Sequence, residues 1–286
     1  MNQSVNYITK ATPTWCPGCG NFSVLTALRQ SLTNLNIPTH EAVLITGIGC
    51  GTLMPYWVKN YGFNTLHGRP IPVATGVKIA NHNLKVIVNS GDGDCLGIGM
   101  GHFTHFFRRN LDISVLMNNN GVYGLTKGQT APTAKKGTKT SSTPFGSLED
   151  YVNGAALALT MGATFVARAY AGDIKNLSKV LQAAIAHKGS SFVDVLDPCV
   201  TFNKVETYQF YNTRVKYIGN EVEPICKTRK EAYEFATKLD DTIPTGVIFQ
   251  EEQEIYEEQI SQFTKGALVD HDLTDIDVND FINSRF

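Results

Sequence analysis

The 286-residue chain carries 25 Lys and Arg against 26 Asp and Glu, a formal charge of −1, which excludes a protein that depends on nucleic-acid phosphate contacts. Charged residues are only 18% of it, against roughly 25% for ordinary soluble domains, so part of the surface is expected to be covered by an obligate partner. Near-neutrality also hides an asymmetry, because beyond Gln250 there are ten acids and two bases, which leaves the first 249 residues at +7.

Along the chain, apolar residues at helical spacing (Phe22, Leu25, Leu28, Leu32) predict a helix over 20–36, followed by a strand over 41–49. Next come a strand over 84–90, a glycine-rich turn, a helix from about 97 to 109 and a strand over 112–118. A long polar loop leads to a helix over 148–161, a strand over 163–168, a helix over 174–187 and a strand over 192–196. These strands are continuous apolar runs, as expected where helices cover both faces. The alternation predicts an α/β fold, a doubly wound, mostly parallel sheet with ligands at the carboxyl ends of its strands. We divide the chain into a cofactor-binding domain over 1–200 and a C-terminal extension over 201–286. The extension holds a helix over 229–239, a strand over 244–249 and an acidic arm.

The first fifteen residues lack a hydrophobic core segment and no run approaches about 18 apolar residues, so neither a secretory leader nor a membrane helix is expected. The chain therefore reads as soluble and cytoplasmic, with no membrane partner. In that compartment thiols stay reduced, and closely spaced cysteines point to metal or redox chemistry.

The densest chemical signal is SGDGDCLGIG followed by MNNNGVYG. Asp92 sits between Gly91 and Gly93 after one strand, and Asn120 lies 28 residues on, after the next. Both side chains end on one sheet edge, and Asp, Asn and a backbone carbonyl are hard oxygen ligands suited to Mg²⁺ beside phosphate. The glycines let the backbone approach a pyrophosphate, and the following helix, opening near Gly97, offers its N-terminus to the anion. A second constellation is TWCPGCG, with Cys16 and Cys19, then Cys50 in GIGCGT and Cys199 in LDPCVTF. These three cysteine sites, two of them directly at strand ends, can converge on one sheet edge, and four thiolates suit either a structural Zn²⁺ or a [4Fe-4S] cluster. Cys95 and Cys226 read as ordinary thiols.

The GDG-to-Asn-Asn pairing resembles the thiamine diphosphate motif. That resemblance implies that Asp92, the Asn120 side chain and the Val122 carbonyl hold the metal, with Gly91, Gly93 and Asp94 lining the diphosphate. With the cysteines added, the chain resembles the β subunit of a 2-oxoacid:ferredoxin oxidoreductase, through TWCPGCGNFSVL, ITGIGCGT, TLHGRPIPVATGVKIAN, NSGDGDCLGIGMGHFTHFFRRN, MNNNGVYGLTKGQT and VLDPCVTFN. The family implies a thiamine diphosphate-binding fold in which Cys16, Cys19, Cys50 and Cys199 ligate a [4Fe-4S] cluster. Iron–sulfur is then preferred to zinc because the reaction releases two electrons one at a time and zinc has no redox chemistry.

Gly124 and Leu125 open the loop GLTKGQ, which the resemblance places beside the cofactor. Lys127 would hold the substrate carboxylate there, and the Thr-Lys-Gly-Gln form fits 2-oxoglutarate or broad-specificity enzymes better than pyruvate-restricted ones. His67 and Arg69 in LHGR are placed near the cofactor or substrate, whereas His102 and His105 read as packing or interface residues. Thiamine chemistry also needs a pyrimidine-binding domain with its Glu, which the family assigns to a separate α subunit. The expected activity is oxidative decarboxylation of a 2-oxoacid, with coenzyme A as co-substrate and ferredoxin as electron carrier. Two rival readings are a non-oxidative thiamine decarboxylase subunit with a structural zinc, and a non-catalytic metal-binding module.

Overall fold

The computed structural model describes residues 5–218, 222–239, 241–272, 274 and 278–285. Its strands in chain order are β1 (Ala42–Thr46), β2 (Tyr61–Asn64), β3 (Lys85–Gly91), β4 (Ile113–Asn119), a two-residue pair β5 (Val122–Tyr123) and β6 (Gln129–Thr130), then β7 (Phe165–Tyr170), β8 (Ser191–Leu196), β9 (Val215–Tyr217) and β10 (Ile243–Gln250). The helices are α1 (Asn21–Asn34), α2 (Pro70–Ala80), α3 (Met100–Phe107), α4 (Gly154–Thr160), α5 (Ile174–Ala186), α6 (Tyr208–Asn212), α7 (Arg229–Thr237) and α8 (Val278–Asn283). No helix among the described residues is long and apolar enough to cross a membrane.

Among the described residues the main sheet runs β2-β1-β3-β4-β8-β7-β10-β9. The six strands from β2 to β7 are parallel, and β10 turns antiparallel to β7. Every residue of β1, β7 and β8 is buried, which is why these segments read as unbroken apolar runs. One apolar layer lies under α1 and α5, where Val24, Leu28 and Leu32 meet Leu177, Leu181 and Ile185. The other lies under α2, α3, α4 and α7 and includes the edge-to-face stack of Phe103, Phe107 and Phe192.

Register brings the chemistry together. Thr46 pairs with Asn89, Gly91 with Asn118, and Asn119 with Leu196, so β1, β3, β4 and β8 finish nearly level. The loops 47–51, 91–94, 119–122 and 197–200 therefore leave one edge of the sheet. The chain also reverses direction at β1, passing to β2 on one side and to β3 on the other. Such a reversal opens a crevice outside the carboxyl ends of the strands.

The structure adds elements that patterning does not predict. β2 is a fully exposed edge strand, and α2 opens on Pro70, where a missing N–H is harmless. α4 starts at Gly154 rather than near Leu148, because Asn153 caps it by accepting from the Ala156 N–H, while Leu148 lies on the surface. The turn after β3 is also displaced from expectation. A single π-type turn spans Asp94–Ile98, breaks at Gly97 (φ −84°, ψ −109°), and α3 begins only at Met100.

Beyond residue 200 the chain contributes β9 and β10 to the same sheet, and the acidic arm starts only after them. Part of that arm folds back across the opposite edge. Glu257 accepts from the Asp112 N–H, Glu258 pairs with Lys188, and Phe263 stacks on His82 at 5.0 Å.

Within the sheet, Arg168 of β7 sits directly across from Asp194 of β8, and its Nε donates to Asp194 Oδ2 at 3.2 Å. Both side chains are buried. Removing one member leaves an uncompensated buried charge, so Asp194→Ala is expected to destabilise the fold by about 3–5 kcal/mol. Chemical denaturation checks this; a loss within the experimental error would mean that the guanidinium is solvated.

Candidate active site

Asp92, at the carboxyl edge, is 2% exposed. Its Oδ1 accepts from the Gly93 N–H at 2.9 Å, and its Oδ2 from the Gly121 N–H at 2.8 Å and from the Thr133 hydroxyl. Burial pushes its carboxyl up to about 6, against the lowering effect of those donors. A carboxyl held neutral below that pH must lose a proton before it can ligate a cation. Were Asp92 to ligate Mg²⁺, the affinity would be flat above about pH 7 and fall about tenfold per pH unit below about pH 6. Calorimetric titration across that range tests this, and an affinity indifferent to pH would remove Asp92 from the ligand set.

Asp94 faces the other way and acts as a brace. Its Oδ1 accepts from the Gly68 N–H at 2.6 Å and the Ile48 N–H at 3.2 Å, and its Oδ2 from the Ser90 hydroxyl at 2.6 Å. It thereby ties together the segments after β1, before α2 and after β3. The fit is tight: a Cβ on Gly47 would lie 2.0 Å from Asp94 Oδ2. His67 Nδ1 approaches Asp94 Oδ1 at 2.9 Å, out of line for a hydrogen bond, and its ring meets Tyr123 edge-on at 6.0 Å. Arg69 does not join this group. It is exposed, and its Nη1 lies 3.1 Å from His102 Nε2 on α3.

The three asparagines at the end of β4 diverge. Asn118 donates to Asn21 at 3.3 Å, and its own Oδ1 is buried without a partner. Asn119 donates to Asp194 at 2.9 Å. The Asn120 side chain accepts from the Val122 N–H at 3.1 Å, and its carbonyl accepts from Asn203 at 2.8 Å. Asn118 and Asn120, with Gly49–Gly51, His67, 91–94 and 122–126, line a cleft of about 150 Å³. A Cβ on Gly91 would meet nothing within 4 Å, whereas one on Gly93 would lie 2.2 Å from the Tyr123 ring. The first glycine thus faces open space and the second is roofed by an aromatic ring, a cradle that suits close approach of a diphosphate.

β5 and β6 form a short hairpin whose tip is 124–128. Lys127 lies there, exposed, with φ +77°, a left-handed conformation rare for a residue with a side chain. Leu125 and Thr126 line the cleft beside it.

The cysteines converge from three loops. The Cys19 N–H donates to the Cys16 carbonyl at 3.0 Å, closing the first loop, and the Gly20 N–H reaches the Pro198 carbonyl at 3.4 Å. Trp15 donates to the Cys50 carbonyl at 2.7 Å. A Cβ on Gly124 would stand 3.4 Å from Cys50 Sγ and 3.9 Å from Cys199 Sγ, so the hairpin backbone lies against both sulfurs. All four are free thiols. Burial pushes Cys19 up to about 12 and Cys50 up to about 11, with Asp197, Cys199 and, for Cys50, Cys16 adding to the effect. Thiols crowded in this way near a buried carboxylate suit a cationic iron core that takes their protons' place. Among the described residues no three His, Cys, Asp or Glu side chains are grouped to hold a single metal ion.

Several participants carry no sequence signal. Thr133 reaches Asp92 across 41 positions and Asn203 reaches the Asn120 carbonyl across 83. Asp197 is buried with both oxygens unpartnered, and burial followed by the Asp92 charge pushes it up to about 8.

Residues 47–195 match the family described as thiamine pyrophosphate enzyme, C-terminal TPP binding domain, and residues 199–265 match the C-terminal part of the pyruvate ferredoxin oxidoreductase beta subunit. The chain is 44% identical to 2-oxoacid:ferredoxin oxidoreductase 1, subunit beta, of Aeropyrum pernix, over 93% of its length and 87% of the relative's. It is 41% identical to the 2-oxoacid:ferredoxin oxidoreductase subunit beta of Saccharolobus solfataricus, over 95% and 96%. Among solved structures it superposes on a 2-oxoglutarate:ferredoxin oxidoreductase from Magnetococcus marinus, bound to 2-oxoglutarate, coenzyme A and succinyl-CoA. The TM-score is 0.89 and the identity 35%, over 98% of this chain and 94% of that one. Fold, sheet-edge chemistry and nearly full-length similarity agree, and the chain belongs to the 2-oxoacid:ferredoxin oxidoreductase β-subunit family.

Proposed function

We propose that this chain is the half of an active site that binds the diphosphate and passes on electrons, in a cytoplasmic enzyme that oxidatively decarboxylates a 2-oxoacid to an acyl-CoA and CO₂. 2-Oxoglutarate is the favoured substrate, with pyruvate accepted, and ferredoxin carries the electrons away. The observation that carries this reading is the shared hairpin, because Gly124 lies against Cys50 and Cys199 while Leu125 and Thr126 line the cleft containing Asp92 and Asn120.

Asp92, Asn120 and the Val122 carbonyl would hold Mg²⁺, and the backbone at Gly91 and Gly93 would receive the diphosphate. Thiamine diphosphate, when bound, supplies the carbon nucleophile and the electron sink for decarboxylation. Cys16, Cys19, Cys50 and Cys199 would hold a [4Fe-4S] cluster, which accepts electrons one at a time. The chain's own residues orient the reactants. Lys127, displayed by its left-handed backbone beside the cleft, holds the substrate carboxylate; His67, steadied between Asp94 and Tyr123, faces the diphosphate end. Arg69 acts from outside the cleft, through His102 or at the subunit interface.

The remaining half comes from an α subunit with a pyrimidine-binding domain and its Glu. Exposed apolar residues at and beside the cleft support this: Ile48, Leu66, Ile98 and Leu125 are 44%, 77%, 65% and 51% exposed. Anaerobic purification with the co-purifying subunit, followed by assay with 2-oxoglutarate or pyruvate plus coenzyme A, tests the proposal. Ferredoxin reduction dependent on both a 2-oxoacid and coenzyme A is expected; its absence with every common 2-oxoacid would refute the reading.

A further inference from the structure

On the far side of β4 from the cleft, the ends of β8, β7 and β10 enclose a second cavity of about 320 Å³ that shares no lining residue with the first. Its polar wall is the Arg168–Asp194 pair. Arg168 is 1% exposed; Nε serves Asp194 and Nη2 serves the Ala236 carbonyl at 3.3 Å, but Nη1 is buried with no partner. A buried guanidinium N–H without an acceptor is costly, and the orphaned nitrogen belongs to a residue that lines the cavity. Lys135 stands at the same cavity, 3.5 Å from Glu206, whose carboxyl is held above its ordinary range chiefly by burial. Lys136 is paired with Asp150. Part of the lining is apolar, where Leu196, Tyr211 and Ile243 cluster with Leu239 packed against them.

We propose that this cavity binds a small monocarboxylate with an apolar body, its carboxylate on Arg168 Nη1 and Lys135 and its hydrocarbon against Leu239 and Ile243. The wall's three cations and three carboxylates pair one to one, so a single added negative charge is tolerated where a double one is not. Asp194 already answers one cation, and a phosphate dianion would face Asp194 and Glu206 with too few free donors to offset the repulsion. The site is not isolated from the cleft. Asn119, in its wall, precedes Asn120, and Thr133, also in its wall, donates to Asp92. An occupant therefore touches two residues that are in turn bonded or joined to the residues of the cation site.

Calorimetric titration of the chain with its co-purifying subunit tests this, using phenylacetate, its neutral isostere phenylacetamide, and inorganic phosphate. Phenylacetate is expected to bind, with the amide at least about tenfold weaker and phosphate giving no heat. Leu239→Trp, which fills the cavity, and Lys135→Ala, with thermal unfolding to check the fold because the change unpairs Glu206, should each weaken phenylacetate about tenfold or more. Lys127→Ala, at the first cleft, should leave it unchanged. No binding at any attainable concentration would overturn the proposal, leaving water as the partner of Nη1. Loss in Lys127→Ala with retention in Leu239→Trp and Lys135→Ala would overturn it too, by placing the carboxylate in the first cleft.

Discussion

Asp92→Ala is expected to abolish Mg²⁺-dependent cofactor binding and, with it, turnover. Loss of an outer-shell partner at a metal site already costs roughly 10–100-fold in affinity, and Asp92 supplies the only carboxylate of the proposed ligand set. The same change removes the acceptor of three donors, Gly93 N–H, Gly121 N–H and the Thr133 hydroxyl. Each donor left buried without an acceptor costs about 1–3 kcal/mol. Asp92→Asn separates the two effects, since its amide keeps one acceptor oxygen while losing the charge. The asparagine variant should fold closer to wild type yet bind cation nearly as poorly as alanine. Calorimetry with Mg²⁺ and thiamine diphosphate, beside thermal unfolding, reads both; an asparagine variant with wild-type affinity would show that the charge is not needed.

Cys50→Ser should produce the complementary defect. Cys50 lies against the hairpin at Gly124 and also lines the cleft. A serine hydroxyl is far less acidic than a thiol and offers a hard oxygen where iron–sulfur clusters take soft thiolate, so it is a poor iron ligand. Iron content and visible absorption should fall, and ferredoxin reduction should drop to background. Thiamine diphosphate affinity should stay within about threefold, below 1 kcal/mol. Loss of cofactor binding together with iron would instead assign Cys50 a mainly structural role. Asp92→Ala and Cys50→Ser thus bracket the site from its two ends.

How much of the molecule is legible in its sequence depends on how local each cause is. β1, β3, β4, β7 and β8 are buried on both faces, so their apolar runs announce them. Tyr61–Asn64 gives no such signal, because an edge strand with every side chain exposed has no pattern to show. The loops bearing Asp92, Asn120, Cys50 and Cys199 follow from strand ends, and register explains why they meet. Within loops, inference weakens. Asp94 is two residues from Asp92 yet turns toward Gly68 and Ser90, and Arg69 is two residues from His67 yet reaches His102. Local backbone twist decides those directions. Thr133 and Asn203 carry no signal because their contacts close loops of 41 and 83 residues. Arg168 and Asp194 sit inside apolar runs, where only the pairing of β7 with β8 makes either acceptable.

The exposed strand β2 also has a bearing on the life of the chain before assembly. Tyr61 and Phe63, 62% and 48% exposed, flank Gly62 on a sheet edge whose outer hydrogen-bonding groups have no neighbouring strand among the described residues. An edge of this kind is a template for unwanted strand addition. The hazard scales with waiting time and with the concentration of unassembled copies, so balanced synthesis of the subunits matters as much as their affinity. Chain produced in excess of its partner is expected to accumulate as insoluble material, and a charge placed at Phe63 should keep it in solution while hindering assembly.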